Sequence, residues 1–184
     1  MHLDVLAIDS PLAALAMRSV LEYWGIQVHT FFIGKTEQIV DLLSDPIPRS
    51  PWIILECHGI THGIALPDLA PDLEARQPYH GAITPSDLQA FVHLPSATVI
   101  NTGCSLGTPE FARAFLGGGA HAYIGAQQDP EGSAALLYVL RLFYGLHCHQ
   151  LPLEVAHEQA RQQVPETMMF ELFLRPDDMM NPRE

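Results

Sequence analysis

Two short stretches hold the side chains of this chain that could do chemistry. Residues 51–63 read PWIILECHGITHG: four large apolar residues, then Glu56, Cys57 and His58 backed by Gly59, with a second His-Gly at His62 and Gly63. Residues 101–108 read NTGCSLGT and present Cys104. A thiol and an imidazole brought together support nucleophilic catalysis, because the imidazole takes the thiol proton and later protonates a leaving amine. A glycine after the histidine lets its backbone N–H approach a substrate carbonyl. With the N–H of Cys104 it would make an oxyanion hole.

Sulfur and imidazole nitrogen are also zinc donors, and zinc takes four. Cys57, His58 and His62 form one candidate group and His147, Cys148 and His149 another. Consecutive residues of a strand point to opposite faces, and residues two apart on a helix do not face one another. Zinc is therefore the lesser alternative, and no cofactor is expected.

These side chains need elements to carry them, and the hydrophobic patterning supplies alternating strands and helices. Strands are predicted over 3–8, 26–33, 52–57, 97–103 and 120–126, with an edge strand in 168–176. Between them lie helices over 10–25, with Ser10 as N-cap, Pro11 at the first helical position and Gly25 as stop, and over 35–46, ended by Pro46. Further helices are expected over 84–92, 108–119, 132–149 and 151–163, and a hairpin within 59–69. Glycines 117 to 119 read as a helix stop rather than a phosphate cradle. Such alternation predicts an α/β fold: a three-layer α/β/α sandwich with a mostly parallel sheet of about six strands, residues 1–184 forming one domain. In open sheets of this kind, sites form at the carboxyl ends of strands. The third predicted strand ends at Cys57, His58 and Gly59, and the fourth delivers Cys104. If the two are neighbours, His58 and Cys104 meet at one rim.

Composition excludes other classes. The chain has 184 residues, 48% of them hydrophobic, enough to fill a compact core. Its 21 acids against 9 Lys and Arg give a net charge of −12, and Lys35 is the only lysine. Nucleic acids and anionic membranes call for a basic footprint that is missing, so neither is an expected partner. The start MHLDVLAIDS has no signal-peptide pattern, no apolar run reaches the roughly 20 residues of a membrane span, and three cysteines do not make a disulfide framework. A cytoplasmic placement is the expectation. No Gly-rich fingerprint follows the first strand, where the sequence is AIDSPLAA, so a dinucleotide site is not expected.

The 46 residues from His58 to Cys104 are close to the roughly 50 that separate the two in caspases. An apolar strand ending His-Gly, followed by one ending near Cys, resembles the caspase-like cysteine peptidases of clan CD, which include caspases, metacaspases, gingipains, legumains, separases and bacterial CHAT-type proteins. The stretch GTPEFARAFLGGGAHAYIGAQQDPEGSAALLYVLRLFYGL, then EVAHEQAR, is similar to the CHAT and gingipain pattern in the order of its helices, glycines and strand. The likeness runs from Pro51 onward. The caspase pentapeptide is absent, since TGCSL has neither Gln-Ala before the cysteine nor Arg-Gly after it.

The resemblance implies that Cys104 is the nucleophile, His58 the base, and that Gly59 and the Cys104 amide polarise the scissile carbonyl of a peptide or protein substrate. It also implies selection of the residue before the scissile bond. Acids near the dyad suggest a basic one, with Asp129 the expected contact and Ser105 beside the nucleophile; capping of the following helix is the plainer role for Asp129. Cys57 reads as a core residue and His62 as the rival base. A non-catalytic caspase-like or flavodoxin-like binding module is the alternative of another class, and a homodimer is compatible with either.

Overall fold

The computed structural model describes residues 1–8, 11–44 and 50–176 of the chain. Among these, strands and helices alternate as β1 (His2–Ile8), α1 (Pro11–Tyr23), β2 (Gln27–Ile33), α2 (Thr36–Ser44) and β3 (Trp52–Glu56). Three short strands come next, β4 (Gly59–Ile60), β5 (Gly63–Ala65) and β6 (Ala82–Ile83), with the single-turn α3 (Pro71–Glu74) between the last two. Then come α4 (Pro85–Phe91), β7 (Thr98–Asn101), α5 (Pro109–Gly117), β8 (Ala122–Ala126), α6 (Gly132–Phe143), α7 (Leu153–Arg161) and β9 (Phe170–Leu174). The expected cap Ser10 and stop Pro46 lie outside the described residues.

The main sheet has the order β2-β1-β3-β7-β8-β9. All neighbours are parallel except β9, which closes the edge antiparallel to β8. The parallel strands are apolar on both faces because helices cover both, which is why 52–55 reads as a continuous hydrophobic run. Alternation along each strand divides the core into two. Leu6, Leu55, Val99 and Tyr123 pack against α2, α4 and α5, while Val5, Ile54, Ile100 and Ile124 pack against α1, α6 and α7. This is the predicted three-layer α/β/α arrangement with a mostly parallel six-stranded sheet.

Local chemistry sets the helix ends. Thr84 and Asp87 form a reciprocal capping box at α4, and Thr108 caps α5 ahead of Pro109. α5 runs out at Gly117, and Gly119 turns the chain at φ 99°, so the glycine run is a helix stop. One departure from the sequence reading concerns 132–149. The regular helix ends at Phe143, and Tyr144–Cys148 forms a widened π-turn that seats His147 on the Trp24 carbonyl (3.0 Å). The hairpin expected within 59–69 is β4 and β5, extended by β6 into a small antiparallel sheet.

Candidate active site

β3 and β7 are adjacent and parallel, with Leu55 opposite Asn101. Their carboxyl ends therefore emerge side by side, and both motifs stand on one rim. Past β3, Cys57 turns into the core at 5% exposure while His58 is exposed, the opposite orientations that strand alternation requires. Gly59 then packs directly on the nucleophile turn. A Cβ on Gly59 would lie 2.8 Å from the Cys104 nitrogen and closer still to its carbonyl, so only glycine fits. The backbone of Gly59 thereby lies against the Cys104 peptide.

Several bonds fix this rim. The Asn101 carbonyl oxygen Oδ1 accepts from the Gly103 N–H (2.9 Å) and from the Cys57 S–H (3.2 Å). The Thr102 N–H donates to the Leu55 carbonyl (3.0 Å), and the Thr102 hydroxyl donates to the buried Glu56 carboxylate (2.6 Å). Beyond Cys104 the chain is tied to β8: Ser105 N–H donates to Gln128 O (2.9 Å), Gly107 N–H to Ala126 O (2.7 Å), and the Tyr123 hydroxyl to Leu106 O (2.7 Å). Ser105 takes a left-handed φ of 56° to make the turn.

Cys104 is partly buried, with its thiol directed at the Pro130 carbonyl oxygen, 3.9 Å away. The Ser105 hydroxyl donates to Asp129 Oδ1 (2.7 Å), which places that carboxylate beside the nucleophile turn. Partial burial first, and the Asp129 charge second, push the Cys104 thiol up from its ordinary range, so the resting group is the neutral thiol. Burial and the neighbouring Glu56 push Cys57 up far more, leaving it a permanent S–H donor.

The expected residues thus fall into two groups. Gly59, Cys104, Ser105 and Asp129 are brought together by packing and hydrogen bonds. His58 stands at the same rim, but its ring makes no hydrogen bond among the described residues; His62 is exposed at the β4–β5 hairpin turn. Asp129 does not cap α6. The cap position belongs to Glu131, and the Asp129 carboxylate is turned to Ser105 instead. Asn101, Thr102, Glu56 and Pro130 were not singled out from the sequence. For Asn101 a signal existed, since Asn-x-Gly after an apolar strand marks an Asx-turn. The roles of Thr102, Glu56 and Pro130 depend on contacts 26 to 46 residues away, which no local pattern reveals. Among the described residues no three His, Cys, Asp or Glu side chains are grouped to hold a metal, and no helix is long and apolar enough to cross a membrane.

No protein-family profile matches the chain, and no curated protein matches it by sequence. Solved structures do. Gingipain R, described as an Arg-specific cysteine proteinase, superposes with TM-score 0.59 at 12% identity over 95% of this chain. The chain spans only 46% of gingipain R, about half its length. Separase from Saccharomyces cerevisiae, in complex with securin, gives 0.57 at 13% identity, covering 94% of this chain and 12% of separase. A secreted C11 cysteine protease from Bacteroides thetaiotaomicron, solved with an irreversible peptide inhibitor, gives 0.52 at 9% identity, covering 95% and 66%. At these identities the likeness is one of fold, and that fold is the one the His-Gly and Cys strand ends resembled.

Proposed function

We propose that this chain, which has the fold of the caspase-like cysteine peptidases, is a cysteine endopeptidase acting as one domain over residues 1–184. The observation that carries the proposal is the contact of Gly59 with the Cys104 peptide at the carboxyl ends of β3 and β7. It draws the His-Gly and Cys turns to a single point from motifs 46 residues apart.

In the proposed reaction the Cys104 sulfur attacks the scissile carbonyl while His58 takes the thiol proton. Because the resting thiol is neutral, the proton leaves as the bond forms, and His58 acts as general base rather than as half of a preformed ion pair. The oxyanion is met by the Gly59 and Cys104 amides. His58 returns the proton to the leaving amine, and water then hydrolyses the thioester. Asp129, oriented by Ser105, supplies a carboxylate for a basic residue before the scissile bond. The three cysteines are free, in keeping with a reducing, cytoplasmic setting.

A second reading, a non-catalytic binding module, is favoured by one observation. The Cys104 thiol faces the Pro130 carbonyl, and His58 does not hydrogen-bond to it. Intact-mass analysis with acyloxymethyl ketone probes bearing Arg, Lys, Asn or Asp decides between the two. The peptidase gives one adduct on Cys104, strongest with Arg or Lys and lost in Cys104→Ala and His58→Ala. Absence of any adduct with every probe supports the binding module.

A further inference from the structure

We propose that Asn101 is the positioning residue of the nucleophile turn: its side-chain carbonyl, shared between the Gly103 amide and the Cys57 thiol, fixes how the Cys104 and Gly59 amides are presented. The catalytic meaning of this role rests on the peptidase proposal; its structural content does not.

Asn101 is the last residue of β7 and is completely buried. Its two ends are in opposite conditions. Oδ1 accepts two hydrogen bonds, one from its own strand end and one from the end of β3. Nδ2 is buried beside the Tyr123 hydroxyl, which donates to the Leu106 carbonyl, and among the described residues no acceptor meets it in hydrogen-bond geometry. Leucine would match the branched outline of the side chain but would leave the buried Gly103 N–H and Cys57 S–H unpaired. What leucine cannot supply is the acceptor.

That acceptor sits where it matters. The bond from Gly103 N–H back to the residue two before it is an Asx-turn, and it sets the plane of the peptide preceding Gly103. The next peptide carries the Cys104 N–H. Gly103 is itself hemmed in: a Cβ there would meet Leu106 Cδ1 at 2.6 Å, Cys57 Sγ at 3.0 Å and Gly59 N at 3.1 Å. The second bond ties the same oxygen to Cys57, one residue before His58. One buried carbonyl thus couples the strand end that carries the base to the one that carries the nucleophile. Asn101 touches no reacting atom, so its effect is exerted through Gly103 and Cys57.

The test compares Asn101→Leu, which keeps the branched outline and removes the acceptor, with Asn101→Asp, which keeps the acceptor, and with Cys57→Ser, which keeps the donor. Each full-length variant is measured for kcat and KM on a fluorogenic peptide, for thermal midpoint, and for hydrogen exchange of the segment 101–105. Asn101→Leu is expected to lower kcat about 100-fold with KM within about twofold, the scale of a small misplacement of reacting groups. Its exchange is faster and its thermal midpoint falls, because the buried Gly103 N–H loses its acceptor. Asn101→Asp and Cys57→Ser keep slow exchange, and Asn101→Asp moves the pH optimum upward because an added carboxylate opposes thiolate formation. Wild-type kcat and exchange in Asn101→Leu would overturn the proposal. If the wild type neither turns over peptide nor takes a probe, the peptidase proposal fails. Exchange then decides this one alone: faster in Asn101→Leu than in Asn101→Asp supports it, and no difference overturns it.

Discussion

Gly59 lies so close under the nucleophile turn that a Cβ on it would stand 1.8 Å from the carbonyl oxygen of Cys104. The atoms it would strike belong to the backbone and cannot rotate away. Gly59→Ala is therefore expected to cost about 3 kcal/mol or more, or to part the two strand ends, and in either case to abolish probe labelling of Cys104. Gly117→Ala is the control: nothing lies within 4 Å of its Cβ position, and it ends a helix. It should leave labelling intact and raise stability by up to about 1 kcal/mol. Denaturant melts and intact-mass labelling read both.

The Thr102 hydroxyl gives the buried Glu56 carboxylate a donor at 2.6 Å. Thr102→Val keeps the shape and removes that donor. The expected loss is about 2–3 kcal/mol, the range for a hydrogen bond to a buried charge. Thr102→Ser should lose well under half of that. Urea denaturation of the pair checks it, and equal stability of Thr102→Val and wild type would contradict it.

Two opposed effects are expected of Asp129, one on Cys104 and one on a bound probe. Its charge helps hold the thiol protonated, so Asp129→Asn should lower the pH at which iodoacetamide alkylates Cys104 half-maximally and speed alkylation at neutral pH. The same variant should label about tenfold less with Arg and Lys probes, through loss of a charge-assisted contact. Unchanged probe preference would remove Asp129 from the specificity pocket.

His157 on α7 accepts from or donates to the Tyr138 hydroxyl at 2.6 Å in the core. Burial, and secondarily Arg161, bring its pKa down to about 4 from 6.5. The unfolded chain takes up this proton near pH 6.5 and the folded one only near pH 4. Acidification through that window therefore favours unfolding, by about 3 kcal/mol once complete, and below pH 4 the loss does not grow. His157→Gln should flatten that part of the stability–pH curve, which melts at half-unit pH steps would show.

Much of this was legible in the sequence because it is local. Apolar runs such as 52–55, Pro11 and Pro109 at helix starts, and the Thr84 and Asp87 box each declare an element within a few residues. The placement of His58 and Cys104 at one rim followed from a topological rule about strand ends. What was not legible lies in pairings across the sheet. The preference of Asp129 for Ser105 over the start of α6 depends on a turn 24 residues earlier. The buried Glu56 carboxylate is met by the Thr102 hydroxyl just past the end of β7, 46 residues away in the chain. The π-turn at Tyr144–Cys148 looks helical by periodicity, and in it Gly145 packs on Ala156 and His147 meets the Trp24 carbonyl, contacts no local pattern shows.

That widened turn makes chain length itself a constraint. A π-turn holds about one residue more than the helix it interrupts. Deleting any one residue from 144–148 would let the helix run on regularly and rotate the chain beyond it by about 100°. Gly145 would leave Ala156, and His147 would leave the Trp24 carbonyl. Insertions and deletions here therefore redirect the chain as it leaves α6 toward α7, whereas the same change in the exposed stretch around Pro78 only alters a loop. Variants of this chain that differ in length should carry the difference there and spare the end of α6.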